Sequence, residues 1–207
     1  MTFTLVKENA AQICIDSHAA DYKGLKHVAK ILAGDILTVT GKEPEIVEQI
    51  QNVPQIVAAT KGTSDILAKW EEEKKIDLSV LEGKREVFMV QLIEEDGAEK
   101  LVIVGTETIA TLYGLYYISE NIGVSPWVYW ADVVPAPKKE IVFDKSICTV
   151  SKEPSVRYRG FFMNDEWPSL GNFVMHTFGD FNEFFYEKVF DLLLRLKGNY
   201  FWPAMWS

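Results

Sequence analysis

The chain is poor in cysteine, in basic runs and in long apolar stretches, and each shortage removes a class of function. Its 207 residues include two cysteines, Cys14 and Cys148, each inside an apolar, strand-like run. Neither has a CxxC spacing or a nearby histidine, so a metal site finds no support. A disulfide between them is the weaker reading, and free buried thiols are expected. The net charge of −9 comes without any Lys/Arg-rich run, which excludes the basic footprint of a nucleic-acid binder. No apolar run approaches the roughly 20 residues of a membrane-spanning helix, so no membrane partner is expected. The first residues, Met-Thr-Phe-Thr-Leu-Val-Lys-Glu-Asn, lack the basic and apolar regions of a signal peptide. A cytoplasmic location follows, or a periplasmic or secreted one if a leader has been removed. There is no GxGxxG, no P-loop lysine and no GxSxG, which argues against nucleotide binding and serine hydrolysis. No cofactor is implied, and no internal repeat or low-complexity tract is visible.

What is present is apolar periodicity. Gln12–Ile15 and Val53–Ala58 read as strands, and between them Leu25, Val28, Ala29, Leu32 and Ile36 lie at helical spacing before Gly41. Glu71–Lys75 is a charge cluster expected at a solvated helix end or loop. Glu86–Ile93 and Lys100–Val104 form a hairpin-like pair, with a connection longer than a tight turn. A second helix begins near Thr106, with Ile109, Leu112, Tyr113 and Tyr116 on its apolar face and Gly123 at its end. Residues 1–150 thus read as a small α/β domain with two amphipathic helices.

Pro126–Lys139 differs in kind. Pro126, Trp127, Tyr129, Trp130, Pro135 and Pro137 crowd together without helical or strand period, which fits a packed connector rather than a flexible linker. Residues 151–207 begin a second unit. Arg159–Met163 is apolar without alternation, as for a strand buried on both faces. A loop runs from Asn164 to Gly179. A helix follows, with Asp180 as cap, Glu183 completing a capping box, and Phe185, Val189, Leu192, Leu193 and Leu196 as its stripe. Asn199–Trp202 then resumes a strand, giving one βαβ unit. The roughly 50 residues after Val156 fall far short of the about 250 of a complete (β/α)8 barrel, so an incomplete, truncated barrel is expected.

Asn164, Asp165 and Glu166 follow the first strand of that unit directly. In a parallel barrel this end carries the active site, and carboxylates there can bind sugar hydroxyls or act as acid or base. They would equally serve to cap and solvate a loop. Trp167, Trp202 and Trp206 sit near the same ends, where flat rings can cover the apolar faces of sugars; for Trp202 core packing is the stronger expectation. His176 has no second ligand at metal spacing and reads as structural. Gly105-Thr-Glu precedes a helix that could hold an anion.

Three stretches resemble glycoside hydrolase family 115: residues 114–133 (Gly-Leu-Tyr-Tyr-Ile-Ser-Glu-Asn-Ile-Gly-Val-Ser-Pro-Trp-Val-Tyr-Trp-Ala-Asp-Val), residues 160–166 (Gly-Phe-Phe-Met-Asn-Asp-Glu), and residues 185–206 ending in Asn-Tyr-Phe-Trp-Pro-Ala-Met-Trp. The resemblance implies an inverting α-glucuronidase that removes glucuronic acid or its 4-O-methyl ether from xylan side chains. It implies an N-terminal α/β domain of the glucuronidase/hexosaminidase type, then a (β/α)8 barrel. Asn164, Asp165 and Glu166 match the first-strand motif and Trp202 and Trp206 the second, as substrate-binding candidates, while the acid and base come from later strands. The implied partner is a glucuronoxylan-type oligosaccharide or polysaccharide, with a homodimer of the full-length enzyme among the expectations. The fragment alone is expected to be inactive. One departure stands out: Thr106-Glu-Thr-Ile-Ala occupies the place of a more basic Ser-Asp-Lys-Arg-Gly run. Two alternatives are a carbohydrate-binding or scaffold domain, favoured by exposed aromatics in 126–130, and a hexosaminidase-like enzyme for another sugar.

Overall fold

The helical spacing of Leu25, Val28, Ala29, Leu32 and Ile36 yields helix α1 (Tyr22–Thr40), all five residues buried along one side. Its end is closed by Gly41 in the left-handed conformation, whose N–H donates to Leu37 O at 2.7 Å. The computed structural model describes residues 2–164 and 167–203, and the chain is a mixed α/β protein. It divides into two units: Met1–Ser125 with Val134–Pro154, and Pro126–Val133 with Ser155–Ser207.

The first unit is built on a six-stranded sheet. Its strands are β2 (Gln12–Cys14), β3 (Ile46–Val47), β4 (Gln55–Thr60), β5 (Phe88–Glu95), β6 (Ala98–Gly105) and β8 (Thr149–Val150). They lie in the order β3-β2-β4-β6-β5-β8, the first four mutually parallel and the last two joined antiparallel. Every residue of β4 is buried, as expected of a central parallel strand covered on both faces. Helix α3 (Thr108–Asn121) packs on α1 and on β4, β5 and β6. On the other face Leu67 and Trp70 of α2 (Asp65–Glu72) meet Val57, Ala59, Val102 and Val104, together with Leu78 and Leu81 from a short 3-10 turn. A separate antiparallel pair, β1 (Phe3–Val6) with β7 (Ile141–Phe143), completes the unit.

Several local expectations are corrected here. Helix α2 joins α1 and α3 as a third helix, and the Glu71–Lys75 charges straddle its end. It is only eight residues long, so its apolar pattern is too brief to register as a period. The β5–β6 connection is a two-residue turn. The strands run on through Glu95 and Ala98, because Asp96 and Gly97 both take positive φ (50° and 80°), the geometry of a tight hairpin. On α3, Ile109 and Leu112 are only half buried, and the buried side centres on Ala110, Tyr113, Leu115 and Tyr116.

In the second unit β9 (Gly160–Phe162) and β10 (Tyr200–Trp202) pair in parallel, with Phe161 opposite Phe201. The long helix α5 (Glu183–Arg195) lies between them in sequence. Its cap is Asn182, not Asp180: the Asn182 side chain accepts from the N–H groups of Phe184 and Phe185. The stretch expected as an open loop contains helix α4 (Ser169–Phe178). Strand β9 is not buried on both faces, since Phe162 is 55% exposed. Trp130 from the connector belongs to this unit, its indole N–H donating to Lys188 O at 3.1 Å and its ring meeting Phe173 and Phe185. Trp127 and Tyr129 beside it are exposed.

Candidate active site

Parallel pairing fixes which residues share an end. In the β9–β10 register Gly160 lies opposite Tyr200 and Phe162 opposite Trp202, and the ladder ends with Met163 N donating to Trp202 O at 3.0 Å. Asn164 therefore lies two residues past the carboxyl end of β9, directly after Met163, and Trp202 is the last residue of β10 at that same end. Both are exposed. The Trp202 ring meets Phe162 edge-on, with centroids 6.0 Å apart, which leaves it 57% exposed. The expectation that Trp202 is a core residue is thus corrected: its position in the pair turns it outward. Asp165, Glu166 and Trp206 lie outside the described residues.

The opposite end of the pair is tied down. The Arg159 guanidinium donates to Lys197 O from both Nε and Nη2, at 3.1 and 3.0 Å. Arg159 O in turn accepts from the N–H groups of Asn199 and Tyr200. The entry to the pair is thus held by side-chain and backbone hydrogen bonds around Arg159. Gly160 is required for this closeness, since a Cβ there would sit 1.5 Å from Tyr200 O.

The same unit holds a group of rings that no motif announced together. The Trp167 indole lies over Gly171 of α4, where a Cβ would come within 2.7 Å of it. A concavity of about 630 Å³ in the same unit is lined by Tyr129, Trp130, Asp132, Ser169, Leu170 and Phe173. The aromatic crowding of 126–130 was the available signal, but its neighbour α4 was not foreseen. His176 lies exposed in the last turn of α4.

The Gly105-Thr-Glu loop is engaged structurally. Thr106 Oγ1 accepts from Val87 N, and Glu107 Oε1 accepts from Glu86 N at 2.8 Å. Thr108 donates to Asp21 at 3.0 Å. These side chains fasten the start of β5 and the start of α1, and they bring a carboxylate, not a cation, to the place where an anion would sit. Among the described residues no cluster of three His, Cys, Asp or Glu could hold a metal ion, and no helix is long and apolar enough to cross a membrane.

Comparison with known proteins bears on the same region. The family model "Glycosyl hydrolase family 115" matches residues 151–207, which contain β9, α4, α5 and β10. Among solved structures the chain is similar to a family GH115 4-O-methyl-α-glucuronidase with specificity for decorated arabinogalactans. The two are 33% identical with a TM-score of 0.80, over 98% of this chain and 26% of that one. This chain therefore spans about a quarter of that relative's length. The structure of CpGH84D matches at 12% identity and a TM-score of 0.46, over 78% of this chain and 23% of that one, too weakly to carry an argument. No curated protein matches the chain. The long likeness across both units, and the family match over the strand pair that bears Asn164 and Trp202, identify the chain as a member of glycosyl hydrolase family 115.

Proposed function

We propose that this chain is part of an inverting α-glucuronidase that removes glucuronic acid, or its 4-O-methyl ether, from the side chains of xylan. The observation that carries the reading is the parallel β9–β10 pair, which brings Asn164 and Trp202 to one carboxyl end inside the family-matched span. In this reading the pair begins a (β/α)8 barrel whose active site lies at that end. Asn164, Asp165 and Glu166 hold the hydroxyls of the sugar, and Trp202 and Trp206 cover its apolar face. Inversion needs an acid that protonates the glycosidic oxygen and a base that takes a proton from the attacking water. The two stand about 6.5–9.5 Å apart across the sugar. A single strand-end motif does not supply both, so the 207-residue chain by itself does not turn over substrate.

A second substrate has its own support. The 33%-identical relative is specific for decorated arabinogalactans, so a glucuronic acid cap on a galactan is the alternative to xylan. Release of glucuronic acid by the complete open reading frame decides between them. Glucuronoxylan and a glucuronidated arabinogalactan are supplied in parallel, with the 207-residue chain as a third arm. Release from xylan alone upholds the first reading, and release from arabinogalactan alone replaces it with the second. Turnover by the 207-residue chain defeats the partial-site argument.

A further inference from the structure

The first unit carries a cavity that the glucuronidase reading leaves unused. In the order β3-β2-β4-β6, the chain leaves β2 through α1 toward β3, and leaves β4 through α2 and β5 toward β6. The carboxyl ends of β2 and β4 therefore flank the point where the strand order reverses, and in open α/β sheets that crevice is where ligands bind. Here it holds a cavity of about 240 Å³. That is below the roughly 300–1,000 Å³ of sites for drug-sized ligands, and suits a single small ring.

Its walls differ in chemistry from floor to rim. Cys14, Val57, Ala59, Ile50 and Ile66 supply apolar surface. Burial, with the Asp16 carboxylate next in importance, pushes the Cys14 thiol up to about 12, so it stays protonated and acts as part of that floor. The rim consists of Asp16, Glu48, Gln49 and Ser64, with His18 beside them. Asp16 Oδ1 accepts from His18 N at 2.9 Å and has His18 Nδ1 at 3.5 Å, while Oδ2 receives one long bond from Ser64 Oγ at 3.3 Å. A carboxylate oxygen has two acceptor positions, so Oδ2 retains one. The Tyr22 hydroxyl and then the Lys26 ammonium hold the Glu48 carboxyl below its usual range. Both donate to the same oxygen, Oε1. Ser64 is the N-cap residue of α2, yet its hydroxyl turns to Asp16 instead of capping the helix. The rim is thus rich in acceptors and carries two carboxylates against the single Lys26 ammonium.

We propose that this crevice is a second carbohydrate site, non-catalytic, that takes one neutral sugar residue and rejects the uronic acid. Hydroxyl groups donate to Asp16 and Glu48 while the ring's C–H face lies on the apolar floor. A carboxylated sugar meets like charge from the Asp16 and Glu48 carboxylates at the rim, which the donors of Gln49, Ser64 and His18 offset only in part. The choice of sugars as ligand rests on the glycosidase reading. The site itself lies wholly within residues 14–66 of the first unit, so it can fail while that reading stands, and the reverse.

The test is a titration of the isotopically labelled 207-residue chain with D-xylose, D-galactose and D-glucuronate, followed through its backbone amides. Xylose or galactose is expected to move the amides of Asp16–His18, Glu48–Ile50 and Ser64–Ile66 saturably. Glucuronate should bind at least about tenfold more weakly, and Asp16→Asn should weaken the neutral sugar by about tenfold, as for a lost hydrogen bond to a charged group. If Asp16→Asn does not fold, the wild-type titration alone decides. Absence of saturable shifts at those amides, or glucuronate binding as well as the neutral sugars, overturns the proposal.

Discussion

The two units dispose of their apolar residues in opposite ways. In the first, β4 and β6 are covered on both faces, and large side chains such as Trp70, Tyr113 and Phe3 are almost wholly buried. In the second, a two-stranded parallel sheet leaves Phe162, Tyr200 and Trp202 exposed, and Phe184 and Phe190 of α5 project from its helix. Its buried cluster is small, Val174, Phe185 and Val189, and is enlarged by half-buried rings that meet edge to face. Parallel pairs of strands are ordinarily buried on both sides. The first unit therefore draws its stability from a sheet closed over by helices, and the second from a few aromatic contacts beside an exposed strand pair. Asn164 and Trp202 lie at the carboxyl end of that exposed pair.

Removing the largest buried ring should strike the first unit hardest. Trp70 is fully buried under the α2 face of the sheet, and Trp70→Ala should cost about 3–5 kcal/mol by lost transfer energy and the cavity left behind. Urea denaturation measures it. A loss below about 1 kcal/mol would mean that the sheet's second face does not depend on α2.

The second unit should respond most to a single methyl group. In Gly160→Ala the new Cβ meets backbone, Tyr200 O, and not the end of a flexible side chain, so the strands must separate. A cost of about 2–3 kcal/mol is expected, within the range of a backbone-disrupting substitution. Hydrogen exchange reads it locally, since Met163 and Tyr200 donate across the pair and should lose protection first. Retained protection at both amides would show that the pairing tolerates the clash.

The first unit also holds a buried carboxylate between two lysines. Glu95 is buried in β5 and accepts from the Lys69 ammonium at 2.7 Å and from that of Lys75. Burial alone would raise its carboxyl, but the hydrogen bonds from the two lysines prevail and bring it down to about 2. A carboxyl lowered by folding stabilises fully above its unfolded value near 4.5, and that contribution fades as pH falls toward about 2. Lys69 is half exposed, so screening reduces the worth of the cluster to about 1–2 kcal/mol. Glu95→Gln should be less stable than the wild type at neutral pH by that amount. The gap should narrow between pH 4.5 and 2, as denaturation midpoints across that range would show. A gap independent of pH would remove the ion pairs as its cause.

How much of this was legible depended on the length of the pattern. Helix α1 carries seven buried positions and a terminal glycine, and a run of that length declares itself. Helix α2 offers two, Leu67 and Trp70, and only the sheet above them makes them a face. Asn164 could be placed at a strand end from sequence because the order of strand, helix and strand implies parallel pairing. The exposure of Trp202 could not, because the apolar run Tyr-Phe-Trp has no alternation to mark its outer side. The Asp16–Ser64 contact was beyond reach for another reason. Those residues are 48 apart in sequence and become neighbours only when β2 and β4 pair.

The smallest expected effect tests a reading that sequence misplaced by two residues. Asp180 with Glu183 has the spacing of a capping box, yet Asn182 holds the cap, accepting from Phe184 N at 3.1 Å and Phe185 N at 3.2 Å. Its amide nitrogen also donates to Phe178 O at 3.0 Å, joining the end of α4 to the start of α5. Asp180 Oδ1 instead accepts from Phe181 N, a local turn contact that leaves the helix N–H groups alone. Asn182→Ala should therefore cost about 1 kcal/mol, and Asp180→Ala no more than about 0.5 kcal/mol. Thermal or urea unfolding of the two variants side by side separates the assignments. Equal losses, or a larger loss at Asp180, would return the cap to the position that spacing alone suggests.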